Sequence, residues 1–391
     1  MRPTTTLPFV KLIARLAAAA AVAALTACAS IAPDLDAQAA RLMQRENVQG
    51  LALAVIDNGA VVKVSAYGRR NASQPLTANT VMYGASLTKT AFAYMLLQLV
   101  DEGRLDLDAS IATLLPLPLH AYKSGSFDFS DLEGDPRWRA LTPRMLLNHA
   151  TGLANFRWLK PDKKLRCHFA PGSRYAYSGE GFYILQLVLE QGLGMDTGRE
   201  MQQRVFDRFG MTRTSMTWRA DFAADLADGY GLDGRMEAHD QRSAVRAAGS
   251  MDTTIADQAL LWAGIVRGEG LRAASRAELV RPQLAIASSR QFPTLAANTN
   301  PGNARIGLAA GLGLVTFRGA AGQTWFKGGH NDTTGNMVLC QELHKRCVVM
   351  LANDVRAERI YPELARLVLG ETGMPWEWEY GPAAVNGNKS P

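Results

Sequence analysis

Residues 82–103 read MYGASLTKTAFAYMLLQLVDEG. In a helix beginning after Ser86, the apolar residues Ala91, Phe92, Met95, Leu96, Leu97, Leu99 and Val100 occupy nearly every face. A helix that is apolar all round has no side left for water, so it belongs inside the protein. Gly103 is well placed to end it. The chain can bury such an element: it has 391 residues, 47% of them hydrophobic and 20% charged. Those values describe a globular chain of one large domain or two interleaved ones.

The rest of the chain says what surrounds this helix. Residues 33–46 read as a helix leading to a strand, LALAVID (51–57), and VVKVSAYG follows the turn signal Asn58-Gly59 as a second strand. From about 120 to 300, helix-like segments such as TPRMLLNHATGL and SGEGFYILQLVLEQGLG alternate with Gly/Pro turns. Apolar runs of strand length return as GLGLVTF, QTWFKGG, GNMVLC and RCVVMLAN, and RAERIYPELARLVLG reads as a closing amphipathic helix. The expectation is an α/β (α+β) fold with one sheet built from both chain ends, about 48–120 and 300–375. A mostly helical part, about 121–299, is inserted between them. Residues 376–391 are expected to be a tail, disordered after Tyr380.

The first 27 residues carry Arg2, Lys11 and Arg15, no acidic residue, and an apolar run from Leu16 to Ala27 too short to span a bilayer. They end in Leu25-Thr26-Ala27-Cys28, which resembles a bacterial lipobox, with an ordinary signal peptide as the alternative. Lipidation on Cys28 implies export and a tether to the lipid membrane, with 28–47 as linker and first helix. Ala29 after the cysteine favours the outer membrane. Without the leader's three cations, 39 basic residues face 36 acidic ones, a formal +3 that gives no case for nucleic acid. Export permits disulfides. A turn centred on Leu343-His344 sets Cys340 opposite Cys347, as a bridge or as two buried thiols, and leaves Cys167 without a partner. No cysteine or histidine spacing calls for a metal.

Three places could carry chemistry. Ser86 and Lys89 lie about one helical turn apart and share a face, but S-x-x-K arises about once by chance in a chain this long. Ser86 is either a helix N-cap or a nucleophile whose own N–H, at the positive end of the helix, would hold an oxyanion. Gly84 and Ala85 would leave room for a substrate carbonyl. Lys89 is either a snorkelling lysine or, as its apolar neighbours favour, a buried amine tuned toward a base. Tyr177, in the turn before the 179–190 segment, is a core aromatic or a phenol presented to a cleft. Lys327, followed by two glycines in WFKGGHND, is a hairpin-corner cation or a group for a substrate carboxylate.

The order S-x-x-K, Y-S-x, K-x-G resembles the serine beta-lactamase and penicillin-binding protein superfamily. The tyrosine points to its class C beta-lactamase-like branch, which includes D-alanyl-D-alanine peptidases and esterases. LTPRMLLNHATGL and AAGSMDTTIADQALL are similar to two further segments of that family, and the likeness runs from about 48 to 370. It implies the beta-lactamase/transpeptidase fold, with an antiparallel sheet flanked by helices. It also implies Ser86 as nucleophile, Lys89 as its proton partner, Tyr177 as general acid or base, and Lys327 and Gly329 at the substrate. The backbone N–H of His330 would be the second oxyanion donor. No metal or organic cofactor is implied.

Three departures bear on the substrate. Gly179 stands where true beta-lactamases have an asparagine, Gly328 replaces the threonine of K-T-G, and His330 adds an imidazole that either assists Lys327 or faces water. Lys123-Ser124-Gly125 also fits the third motif, but it precedes the tyrosine and lies in a polar stretch. The resemblance implies a serine hydrolase acting on an ester or a D-amino-acid peptide, on a small-molecule or peptidoglycan-derived substrate. A true class C beta-lactamase and a non-catalytic peptidoglycan-binding lipoprotein are the alternatives. Oligomeric state has no signal in the sequence.

Overall fold

The structure, a computed structural model, describes residues 32–125 and 127–381. The leader, Cys28 and the expected disorder after Tyr380 lie almost wholly outside those residues. Helix α1 (Ala32–Glu46) leads into the hairpin β1 (Gly50–Asp57) and β2 (Ala60–Gly68). Asn58 and Gly59 turn it at φ 49° and 75°, the left-handed pair that matches strand twist. A two-residue strand β3 (Met82–Tyr83) delivers the chain to α2 (Leu87–Asp101). The inserted region contains α3 (Pro143–Leu147), α4 (Gly179–Leu187) and β4 (Asp252–Thr253), which pairs with β3. Helix α5 (Ile255–Arg267) then returns the chain to the sheet.

The remaining strands of the main sheet are β5 (Leu284–Ala285), β6 (Ala309–Ala310), β7 (Val315–Gly319), β8 (Gly322–His330), β9 (Gly335–Gln341) and β10 (Arg346–Ala352). They join the first hairpin in one antiparallel sheet of order β2-β1-β10-β9-β8-β7-β6-β5. Leu51 faces Ala352, so the two ends of the chain do close one sheet, as expected. Strand β1 is buried on both sides because successive side chains point to opposite faces. Ala52, Ala54 and Ile56 join α2 and α5 in one core, while Leu51, Leu53 and Val55 join α1, α6 (Tyr361–Leu369) and Trp378 in the other. Helix α2 is buried from Leu87 to Leu99, as its all-round apolar surface demands. Gly103, at φ 71°, lies just past its end.

Two details differ from expectation. RAERIYPELARLVLG is not one helix: a 3₁₀ turn at Val355–Arg359 precedes α6. Pro362 has no N–H to bond back one turn and fits only in the first turn of a new helix. Residues 376–380 are not tail but helix α7 (Trp376–Tyr380), with Trp378 and Glu379 buried. Two tryptophans and a tyrosine in five residues supply the apolar surface that docks it. Cys340 and Cys347 face each other across β9 and β10 and are disulfide-bonded, with Cα atoms 4.1 Å apart. Cys167 is buried and free. Among the described residues, no helix is long and apolar enough to cross a membrane.

Candidate active site

Ser86 begins α2, yet its side chain makes no capping hydrogen bond. Its Oγ instead accepts from Lys89 Nζ at 3.1 Å and from the Tyr177 hydroxyl at 2.8 Å. Two donors from separate parts of the chain thus converge on one oxygen. Ala85, just before it, has φ 47°, a left-handed conformation uncommon for alanine that turns the chain sharply into the helix. Gly84 does not make room for substrate. Its N–H donates to Met251 O at 2.8 Å, and a Cβ there would come within 2.9 Å of that same oxygen. The glycine lets the chain leading to Ser86 lie against the Met251 backbone.

Lys89 is 0% exposed. Its Nζ also donates to Ala248 O at 2.5 Å, and the Tyr177 and Phe182 rings lie 5.0 and 5.5 Å away. Burial, and then the charge of Lys327, hold this amine well below the usual lysine range. Burial pushes the Tyr177 phenol the other way, above its ordinary value, against the pull of its bond to Ser86. Burial thus favours a neutral amine on one side of Ser86 Oγ and a protonated phenol on the other.

Tyr177 is aimed from the loop before α4, where Ser178 is the true cap: its Oγ accepts from Gly181 N at 3.1 Å. The Ser178 N–H donates to His149 Nδ1 at 3.1 Å, which puts the ring proton of His149 on Nε2. Burial keeps this imidazole neutral, and its ring lies 4.4 Å from that of Tyr177. His149 is a positioning residue that sequence reasoning missed. It stood in plain view in LTPRMLLNHATGL, but nothing local tells which ring it supports.

Strand β8 brings Lys327, Gly328, Gly329 and His330 past the start of α2. A Cβ on Gly329 would lie 3.0 Å from both Ser86 N and Leu87 N, so only glycine lets strand and helix approach this closely. Asn331 N–H bonds Thr334 O across the β8–β9 turn. Antiparallel alternation then turns the His330 N–H away from β9. It faces the edge that β7, whose pairing stops at Phe326, has left free. Ser86 at the helix start and His330 on this edge line the same cleft.

The two family positions now held by glycine are filled from elsewhere. A Cβ on Gly179 would come within 2.0 Å of the Phe156 ring, and one on Gly328 within 1.9 Å of Glu379 Oε1. Phe156 stacks on Trp158 at 4.2 Å. Its loop is tied to the start of α4: Gly179 N–H donates to Asn155 Oδ1 at 3.0 Å, and Arg157 bonds the buried Glu180 carboxylate at 2.7 Å. Lys327 is nearly buried, donates to Gly328 O, and is drawn down to about 8 by burial against the opposing pull of Glu379. His330 Nδ1 bonds Glu358 Oε1 at 3.0 Å, which raises its affinity for a proton against the effect of burial. Its ring is 34% exposed and lines the cleft while bonded to Glu358.

An open cleft of about 520 Å³ reaches Ser86, lined in part by Tyr83, Phe156, Trp158, Arg242 and Asn331. Lys123 and Ser124 are exposed on a short strand pairing with Phe127–Asp128. The structure thus brings together Ser86, Lys89, Tyr177, Lys327, Gly329 and His330, and adds His149, Phe156 and Glu379.

Residues 35–371 match the beta-lactamase family. The chain is 30% identical to the lovastatin esterase of Penicillium rubens over 181 residues, 40% of this chain and 45% of that protein. It is 26% identical to a beta-lactamase of Pseudomonas fluorescens over 208 residues, 51% of this chain and 55% of that protein. The chain therefore spans about half the length of the curated relatives it matches. The D-alanine carboxypeptidase AmpC of Burkholderia cenocepacia superposes with a TM-score of 0.65 at 19% identity, covering 87% of this chain and 98% of that one, a likeness of fold. The chain shares its sheet-and-helix architecture with a class C beta-lactamase, and with most of its length matching it belongs to the beta-lactamase family.

Proposed function

We propose that this protein is a serine hydrolase that forms an acyl-enzyme on Ser86, with esters as its preferred substrates. The observation that carries the reading is the convergence of Lys89 Nζ and the Tyr177 hydroxyl on Ser86 Oγ. In acylation Ser86 Oγ attacks the ester carbonyl carbon and its proton passes to the lone pair of Lys89, an amine whose hold on a proton burial weakens. The oxyanion is received by the N–H groups of Ser86 and His330. As the intermediate collapses the C–O bond breaks, and the Tyr177 phenol gives its proton to the departing alkoxide. Lys89 passes the serine proton back to Tyr177. Water then attacks the acyl carbon, gives up its proton along the same route, and releases the acid and Ser86.

Esters are favoured over beta-lactams by what replaces the amide donor. At position 179 there is no asparagine but the face of Phe156, stacked on Trp158, so this wall of the cleft offers apolar surface to an acyl chain. We also propose export and a lipid anchor on Cys28, on the strength of the leader and Leu25-Thr26-Ala27-Cys28.

The direct test is intact mass over time after mixing the protein with an activated short-chain ester or with a penicillin, alongside Ser86→Ala. An acetyl-sized adduct with ester turnover, both abolished in Ser86→Ala, is expected. Penicillin consumption with a transient adduct would replace the esterase reading by a beta-lactamase. Absence of any Ser86-dependent adduct or turnover would leave a non-catalytic binder.

A further inference from the structure

Lys327 would ordinarily be the obvious partner for an anionic substrate, being a lysine one strand away from the nucleophile. Its surroundings leave it no such freedom. The space where a side chain at 328 would stand is taken by Glu379 Oε1, 1.9 Å from the position of that Cβ. Glu379 is 5% exposed and reaches this point from the last described helix, where Gln291 Nε2 donates to it at 2.7 Å. Gln291 is fixed in turn by the Tyr175 hydroxyl, which donates to its Oε1 at 2.9 Å. The carboxylate is thus held by a relay of buried groups and does not swing into water.

Lys327 and Glu379 line one small cavity together with Tyr177 and His149. Its volume is about 10 Å³, room for one water and not for a carboxylate group. Glu379 and Lys327 act on each other through charge, so a second anion would find the field of the lysine already partly answered. The imidazole on this side, His330, is already bonded to Glu358. Across the cleft, Arg242 bonds Asp252 at 2.7 Å and lies over the Tyr83 ring.

We propose that Glu379 is a built-in carboxylate that occupies the anion position beside Lys327, so that the site selects acyl donors lacking a carboxylate next to the scissile bond. The proposal rests on the reading of Ser86 as the nucleophile. It narrows the substrate class to neutral esters, and it disfavours peptides with a free C-terminal carboxylate and beta-lactams with a ring carboxylate. An anionic substrate would have to displace Glu379 from a dry, hydrogen-bonded seat or stand beside it, like charge against like.

The test compares two acetate esters of phenol, one with a carboxylate at the meta position and one with a carboxamide there, each corrected for its rate with hydroxide. The wild type is expected to favour the carboxamide at least 10-fold in kcat/KM. Glu379→Gln, which keeps the shape and the bond to Gln291, is expected to shift that ratio at least 10-fold toward the carboxylate. Equal use of the two probes by the wild type overturns the proposal whatever the variant does. An unchanged ratio in a folded Glu379→Gln overturns it as well. If the wild type shows no Ser86-dependent turnover of the neutral probe, the hydrolase reading itself fails and takes the proposal with it.

Discussion

Lys89 is the residue on which catalysis and stability pull in opposite directions. A fully buried ammonium is disfavoured, and here the second buried cation, Lys327, adds repulsion. The folded protein therefore binds fewer protons at Lys89 than the unfolded chain does, between its lowered pKa and the ordinary lysine value. In that window stability rises with pH, so at neutral pH the lysine costs stability, the same shift that the proposed mechanism uses to make it a base. The acid limb of kcat/KM for ester hydrolysis should accordingly lie well below the ordinary lysine pKa, with activity falling as pH drops and Lys89 takes up a proton. Lys89→Arg should lose about 100-fold or more, because a guanidinium supplies the same charge but cannot act as a base. A pH–rate profile for both proteins checks this. An acid limb at the ordinary lysine value, or an active arginine variant, would transfer the base role to Tyr177.

Among the elements, the decisive feature is side chains lent across the fold to glycine positions. Helix α4 starts with Gly179 because Phe156 lies where its side chain would be, and the loop carrying Phe156 is anchored to that helix through Asn155, Arg157 and Glu180. Restoring the family asparagine by Gly179→Asn should therefore destabilise by about 1–3 kcal/mol through overpacking. Phe156→Ala opens the space, so the double variant should be more stable than the sum of the single changes by about 1 kcal/mol or more. Melting curves for the four proteins close this cycle. Simple additivity would mean that the ring yields easily and does not dictate the glycine. The last described helix does for Gly328 what the Phe156 loop does for Gly179, with a carboxylate in place of a ring.

At the scale of the molecule, the site is assembled from parts that lie far apart in the chain. Helix α2 lies on one face, and strand β8 passes Ser86. The second core, on the opposite face, gathers Tyr175, Tyr177 and Trp378. The proposed anchor acts on this whole body without touching the site. Cys28→Ser should move the protein from the membrane to the soluble fraction and remove the lipid mass from its N-terminal peptide, leaving acylation of Ser86 unchanged. Retention in the membrane fraction, or an N-terminal peptide without lipid in the wild type, would sink the anchor.

What the sequence determined by itself was whatever depends on short spacing. Three residues between Ser86 and Lys89 are one helical turn in any context, and the apolar surface of 87–101 forces that helix inside. Asn58-Gly59 sets one hairpin, and the spacing of Cys340 and Cys347 sets them opposite each other in another. The motif order located Tyr177 and Lys327 through resemblance, and the structure brings the Tyr177 hydroxyl to Ser86 across 91 residues. What only the tertiary structure decided was which side chains fill the space that a glycine leaves. A glycine in a motif records the absence of a Cβ but not its cause, because the neighbour that would collide with it is chosen by packing. Phe156, His149 and Glu379 have no periodicity or spacing that ties them to Ser86. They gather around the residues near it because two layers close over one sheet, and burial then gives Lys89 and Glu379 chemical properties that neither has in an extended chain.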